Sequence, residues 1–314
     1  MENNLEKNIN IGGEDFKYIK KRLNGGRVFA NSEKTEYLRV ATDVEIMDEV
    51  NLTRELYERG FPVPEVISTG ILEGDDSYYI ERAIGDKVFG DIFMDQTKKD
   101  GVVKDEVFEV FLKVIIKYSE AQFNSNNFVA KDVSSLDEMI SLDNVMRNNP
   151  PSQEMSEMFM EAYKKAVGRV TSLPWGYIQA DLNAFNILQG GIIDFELASF
   201  GPVGYDIITN LYFGRMWPKQ QVAYVFSEDQ ISRYIMEIDR VAQERGLPIM
   251  SQYQDDFILL KVIWASAKDK ESEEQADSNP DFWEWRVKMR DWCIKRYLKG
   301  EKIDSNLFEH FATI

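Results

Sequence analysis

The sequence predicts an α+β protein in two parts, a small antiparallel sheet carrying one helix and a larger, mainly helical remainder. Three observations predict it. Strand signals cluster before Gly85 around a single helical pattern, and helical periodicity dominates after it. The exception to that second rule is the stretch 178–196, IQADLNAFNILQGGIIDFE, whose short apolar runs read as strands. With 314 residues, 44% of them hydrophobic, the chain has core material for two lobes, placed at 1–84 and 85–314.

In the first part, GRVFANSEKTEYLRVAT gives strands at 26–31 and 35–41 joined by a short polar turn. A helix follows over 43–59, stopped by Gly60 and by Pro62 and Pro64. Two further strands, 65–71 and 77–83, are separated by the turn-forming EGDD. Beyond Gly85, helices are predicted at 104–123, 136–147, 153–168, 204–215, 229–246, 254–269 and 281–298. Within them lie short strands at 177–179, 187–189 and 192–195. The last two are joined by Gly190 and Gly191, residues suited to the positive φ of a two-residue hairpin.

Composition removes several chemistries. The single Cys293 forms no internal disulfide and reads as a packed small hydrophobe, and the single His310 leaves no material for a His-dependent triad or a His-rich zinc site. A net charge of −17 repels nucleic acid and anionic membranes and attracts cationic small molecules. No basic start followed by an apolar block opens the chain, and no apolar run is long enough to cross a bilayer, so a soluble cytoplasmic protein is expected.

The polar residues of 178–196 carry the chemistry. Asp181 and Asn186 are five residues apart on a loop entering the hairpin, and Asp194 ends the return strand, so Asn186 and Asp194 project from the same hairpin end. Their amide and carboxylate oxygens, with a second carboxylate nearby, suit Mg²⁺ bridging phosphates. A D-x-x-x-x-N spacing followed by D-F is the phosphoryl-transfer arrangement: the first Asp accepts a hydroxyl proton, and the Asn and later Asp hold metal. Glu196, where the strand ends, is read as structural or as a support for Asp194. Asp206 is read as a helix-start residue steadying the loop.

The segment QADLNAFNILQGGIIDFELASFGPVGYDI resembles the aminoglycoside phosphotransferase and choline kinase superfamily, relatives of protein kinases. Asp181, Asn186, Asp194, Tyr205 and Asp206 match its pattern. The resemblance implies a protein-kinase-like fold and an ATP- or GTP- and Mg²⁺-dependent transfer of the γ-phosphoryl group to a hydroxyl of a small, cationic molecule. An aminoglycoside is the first expectation, hence antibiotic resistance, with choline, ethanolamine, a sugar or an amino-acid alcohol behind it. In the first part, Glu49 lies beside the apolar stripe of its helix and needs a partner. The family layout offers Arg39, which would also grip the α- and β-phosphates. YYIERAIGD resembles the family's hinge, where the backbone of Glu81, Arg82 and Ala83 would bond a nucleobase.

Three positions depart from the family: Gln179 and Ala180 stand for His-Gly, and Arg39 for the commoner Lys. They motivate an alternative reading, a nucleotide-binding regulatory protein with little transfer activity. In the tail, Trp264, Trp283, Trp285 and Trp292 among acids such as Asp255 and Asp256 offer either core packing or a seat for an ammonium group. The acidic run 269–277 reads as a solvated helix end or loop.

Overall fold

Along residues 36–42, Leu38 and Val40 are buried while Tyr37 before them and Arg39 between them are less so, the alternation of a strand in a two-faced sheet. The computed structural model describes residues 8–22, 25–72, 76–125, 133–195, 197–217, 224–267 and 280–311, and sets this strand in a six-stranded antiparallel sheet. The strands are β1 (Ile9–Ile11), β2 (Glu14–Lys21), β3 (Arg27–Asn31), β4 (Glu36–Thr42), β5 (Val66–Ile71) and β6 (Asp76–Arg82), in spatial order β1-β2-β3-β4-β6-β5. One face packs Phe16, Phe29, Leu38, Val40 and Ile80 together. Each such side chain contributes about 1.5–3 kcal/mol by leaving water. The other face sets Tyr79 against Ile46 and Val50 of α1 (Asp43–Glu58).

Helix α1 stops at Gly60, whose φ of +84° few other residues adopt, while Phe61 N–H donates back to Leu56 C=O at 3.0 Å. Strands β1 and β2 lie outside the expected elements. β2 buries only Phe16 in an otherwise polar EDFKYIKK, so it lacks the apolar alternation that marks a strand.

The chain forms two compact units, Met1–Phe89 with Phe185–Glu196, and Gly90–Ala184 with Leu197–Ile314. The second contains α2 (Phe89–Asp100, from Gly90 on), α3 (Asp105–Asn124), α4 (Val133–Met139), α5 (Leu142–Asn148), α6 (Ser156–Val170), α7 (Tyr205–Tyr212), α8 (Glu228–Glu244), α9 (Gln254–Ala265) and α10 (Pro280–Leu298). Most match expectation within a few residues. Helix α2 was not expected, and the helix expected at 136–147 is instead α4 and α5, broken at Ser141, whose φ is +54°. Helix α9 buries Phe257, Ile258, Leu259, Leu260, Val262 and Ile263, and is the central helix of this unit's core. Beside the helices, β7 (Trp175–Ile178) pairs antiparallel with β10 (Ser199–Pro202).

The hairpin of β8 (Ile187–Leu188) and β9 (Gly191–Ile192) corrects two expectations. It belongs with the sheet unit, not the helical part: Gly190 N–H donates to Ile84 C=O and Ile192 N–H to Pro62 C=O, each at 2.7 Å. Its glycines are also required for a different reason than positive φ, which neither adopts. A Cβ at Gly190 would lie 2.5 Å from Ile84 O, and one at Gly191 2.2 Å from Pro62 O. Close backbone approach is what demands glycine at both positions. Glu196 and the run 269–277 lie outside the described residues.

Candidate active site

In the helical unit, the site begins where the fully buried β7 runs out. Asp206, wholly buried in the first turn of α7, accepts Gln179 N–H at 2.8 Å, Gln122 Nε2 at 3.0 Å, Ile207 N–H at 3.0 Å and the Tyr118 hydroxyl. Burial pushes its carboxyl upward, against the pull of those donors. Gln122 also donates to Tyr177 C=O at 3.0 Å and accepts Gly204 N–H at 2.7 Å. One buried network from α3 and α7 therefore fixes the exit of β7. Asp206 has the loop-steadying place expected of it.

Beyond Gln179 the chain turns sharply. Asp181 N–H donates to Gln179 C=O at 2.8 Å across Ala180, whose φ is +62°. A three-residue turn with positive φ is a rare, strained form, and an L-residue in this region costs about 1–2 kcal/mol. Ala180 stands where the resembled family has glycine.

Asp181 emerges from this turn with both carboxylate oxygens engaged. Lys261 of α9 donates to Oδ1 at 3.3 Å and to Ala180 C=O at 3.0 Å. Asn183 donates to Oδ2 at 3.2 Å and to Asp181 C=O at 2.7 Å. About a quarter of the Asp181 side chain (27%) is exposed, whereas only 2% of Lys261's is. Burial lowers the lysine's pKa, opposed by Asp181. Lys261 was not anticipated, since in sequence it is one polar residue inside an apolar helix.

The aromatic tail turns out to be committed to the protein's own cations. Lys261 Nζ lies 3.7 Å from the Trp264 ring centroid. The Arg286 guanidinium lies 4.2 Å from Phe282, 4.7 Å from Trp217 and 5.4 Å from Trp283. Arg296 covers Trp292 at 5.1 Å, and the buried Trp285 donates to Phe308 C=O at 3.0 Å. Of the acids, Asp256 binds Arg169 at 2.8 Å and the Tyr297 hydroxyl, and Asp255 accepts Ile303 N–H at 3.1 Å. Trp283 and Trp285 are buried in the core, whereas Trp264 and Trp292 are half-buried beside Lys261 and Arg296.

In the sheet unit, β8 pairs with β9 and Ile193 N–H donates to Asn186 C=O at 2.9 Å, so Asn186 and Asp194 flank one hairpin end. Asp194 has φ +68°, a conformation that Asp tolerates better than most residues. Its Oδ1 accepts Arg22 Nη2 at 2.8 Å.

Glu49 also binds Arg22: Nη1 donates to both of its carboxylate oxygens, at 2.9 and 3.1 Å. Burial works against the charge of Arg22, but Glu49 and Asp194 outweigh it and raise its pKa. This corrects the expected Arg39–Glu49 pair. Arg39 Nε instead donates to Glu81 Oε1 at 2.7 Å. The register explains it: Tyr37 faces Glu81 and Arg39 faces Tyr79, so Arg39 and Glu81 are diagonal neighbours on the face that α1 covers. Burial pushes Glu81 upward and Arg39 pulls it back. Arg22 escaped the sequence reading because it follows a strand with no apolar signature.

Of the hinge residues, Arg82 N–H donates to Glu65 C=O and Ala83 N–H to Thr35 C=O, each at 2.9 Å. A nucleobase calling on either N–H would have to displace an existing bond.

Residues 21–237 match the model of a phosphotransferase enzyme family. Comparison with curated proteins gives no match. Among solved structures, a Ralstonia eutropha JMP134 protein named as an aminoglycoside phosphotransferase candidate is similar over 94% of this chain and 95% of its own, with TM-score 0.59 and 12% identity. A thermostable mutant of the aminoglycoside phosphotransferase APH(4)-Ia, bound to AMP-PNP and hygromycin B, is similar over 91% of this chain and 95% of its own, with TM-score 0.52 and 17% identity. At such identities the likeness is one of fold, the kinase-like α+β fold expected from the sequence.

Proposed function

This chain belongs to the phosphotransferase enzyme family and is a small-molecule kinase, and from that premise we propose that it moves the γ-phosphoryl group of ATP or GTP to a small-molecule hydroxyl. The observation that carries the reading is Asp181, with both carboxylate oxygens oriented at the end of a buried strand and a quarter of its side chain open to solvent. Asp181 accepts the acceptor's hydroxyl proton as the oxygen attacks the γ-phosphorus and the bond to the departing nucleoside diphosphate breaks. Holding that carboxylate in one orientation lowers the entropic part of the barrier.

The donor set in the sheet unit fits Mg²⁺. Asn186 and the 36%-exposed Asp194 supply oxygens at one hairpin end, and Mg²⁺ takes one or two carboxylates together with waters and substrate phosphates. No group of three or more His, Cys, Asp or Glu among the described residues could hold a metal, so the protein would supply only part of the coordination shell. When bound, the ion would neutralise phosphate charge. Arg22 and Arg39 are the cations of the same unit available to meet the phosphates, each positioned by its own carboxylate partner. The backbone of Glu81, Arg82 and Ala83 is proposed for the base, which would displace the bond to Glu65 or to Thr35 if it took the Arg82 or the Ala83 N–H.

For the acceptor, the net charge of −17 favours a cation, and an aminoglycoside is the first candidate; that would make the protein a resistance determinant. A cytoplasmic location is kept as a proposal from the sequence; no helix among the described residues is long and apolar enough to cross a membrane.

The test is nucleoside-diphosphate release from MgATP and MgGTP against a panel of aminoglycosides, choline-type alcohols, sugars and amino-acid alcohols. Release that depends on one acceptor and vanishes in Asp181→Ala, with MgATP binding retained, is the expected result. Metal-dependent nucleotide binding unaltered by Asp194→Ala would overturn the metal assignment. Binding without turnover on any acceptor would favour the regulatory alternative that Gln179, Ala180 and Arg39 suggest.

A further inference from the structure

Lys261 is expensive where it stands. Its side chain is 2% exposed in a helix whose neighbouring residues 257–260, 262 and 263 are all buried and apolar, where leucine or methionine would pack without desolvating an ammonium. Nothing in the packing of α9 asks for a charge there.

What the ammonium does touch belongs to the proposed catalytic turn. It donates to Ala180 C=O at 3.0 Å, tying down the residue at φ +62°, and to Asp181 Oδ1 at 3.3 Å, with the Trp264 face 3.7 Å away on its remaining side. Asn183 holds the other carboxylate oxygen, so rotation of the Asp181 side chain is opposed at both atoms. The charged groups acting on Lys261 are Asp181, Asp206 of α7 and Arg286 of α10.

We propose that Lys261 is a positioning residue for phosphoryl transfer, holding the strained turn at Ala180 and the Asp181 carboxylate in the orientation that receives the acceptor's proton. The proposal rests on the phosphotransferase reading above. It separates charge from packing. A structural lysine would stabilise the fold, whereas this one is held at the fold's expense because the turn needs it.

Three proteins test it: wild type, Lys261→Met and Lys261→Arg, assayed for MgATP turnover with the acceptor that the panel above identifies and with water alone, and for thermal stability. Lys261→Met is expected to melt at or above the wild-type temperature, because an apolar side chain replaces a buried ion and Asp181 can rehydrate. Its kcat is expected to fall about 100-fold with little change in KM for MgATP, the scale of a misplaced catalytic group. The pH profile adds a signature. Wild-type activity should decline as pH rises through the lowered pKa of Lys261, below 10.5. That limb should move upward in Lys261→Arg, which also recovers part of kcat, and disappear in Lys261→Met.

Wild-type kcat in Lys261→Met, or a lowered melting temperature with kcat unchanged, would overturn the proposal and leave a structural lysine. Should Lys261→Met not fold, an alkaline limb identical in wild type and Lys261→Arg would overturn it too. Wild-type silence across the whole acceptor panel would instead count against the phosphotransferase reading. The pair itself is then read from ¹³Cε-lysine NMR, where Asp181→Asn should lower the Lys261 titration midpoint, and an unmoved midpoint would overturn the assignment without any turnover.

Discussion

Replacing Arg22 by methionine removes a cation that bridges Glu49 of the sheet's helix and Asp194 of the hairpin. Attraction across the 2.9 Å to Glu49 comes to about 6 kcal/mol at an effective dielectric near 20, before desolvation of the two ions offsets much of it. What matters for the variant is the carboxylates left behind. The Glu49 side chain is 17% exposed and cannot rehydrate fully, while Asp194, at 36%, recovers most of its loss from water. Breaking a fully buried pair from one side costs about 3–5 kcal/mol, so about 2–4 kcal/mol is expected here. For a chain of this size that is a fall of about 3–6 °C in melting temperature. Thermal melts followed by circular dichroism, without nucleotide, measure it. Adding Glu49→Gln should restore about half, because the stranded charge is then gone. A drop under about 1 °C for Arg22→Met, or no recovery in the double variant, would show that the bridge contributes nothing and refute the reasoning.

Other predictions follow from single positions. Gly191→Ala places a methyl 2.2 Å from Pro62 O, and the resulting shift should cost about 1–3 kcal/mol in melts and weaken metal-dependent nucleotide binding through the hairpin. Ala180→Gly relieves about 1–2 kcal/mol of left-handed strain, less roughly 0.5–1 kcal/mol of glycine's extra unfolded-state freedom, so its melting temperature should stay level or rise slightly. Lys261 has a folded pKa below 10.5, so the unfolded chain binds more protons between the two values. The stability this group contributes is therefore present above 10.5 and lost as pH falls through the folded value; melts at stepped pH should show that slope in wild type and not in Lys261→Met. With a cationic acceptor of the proposed class, KM should rise between low salt and 0.3 M salt, since the field of a −17 chain is screened over about 10 Å at 0.1 M.

Much of this was legible in the residues. The β4 alternation, the α1 stop at Gly60 and the D-x-x-x-x-N…D spacing are local patterns, and local patterns survive into the fold. The misses share a cause. β2 holds its place through pairing with β3, not through its own polarity pattern, so neither it nor Arg22 at its end carried a signal. Arg39 meets Glu81 because β4 lies next to β6, an adjacency that no spacing in the chain reveals. Gly190 and Gly191 were read for turn geometry when the constraint is the approach of residues 62 and 84. Lys261 became informative only once its partners, some 80 residues away in sequence, were known.

The tryptophans change how an acceptor would have to be recognised. Composition alone joins a −17 charge to an aromatic, acidic tail and points to a cage for an ammonium group. In the structure Lys261 lies over Trp264, and Arg286 over Trp217 and Trp283, and both cations also feel the field of Asp181. A substrate ammonium entering there would meet like charge instead of an open π face, at a cost that grows as water is excluded. Attraction of a cationic acceptor by the chain as a whole is therefore compatible with exclusion of positive charge from the immediate neighbourhood of Asp181. An acceptor that satisfies both conditions carries its ammonium groups away from the hydroxyl that is phosphorylated. Extended polyamino sugars meet that requirement more readily than choline or ethanolamine, whose charge sits two carbons from the only hydroxyl they have.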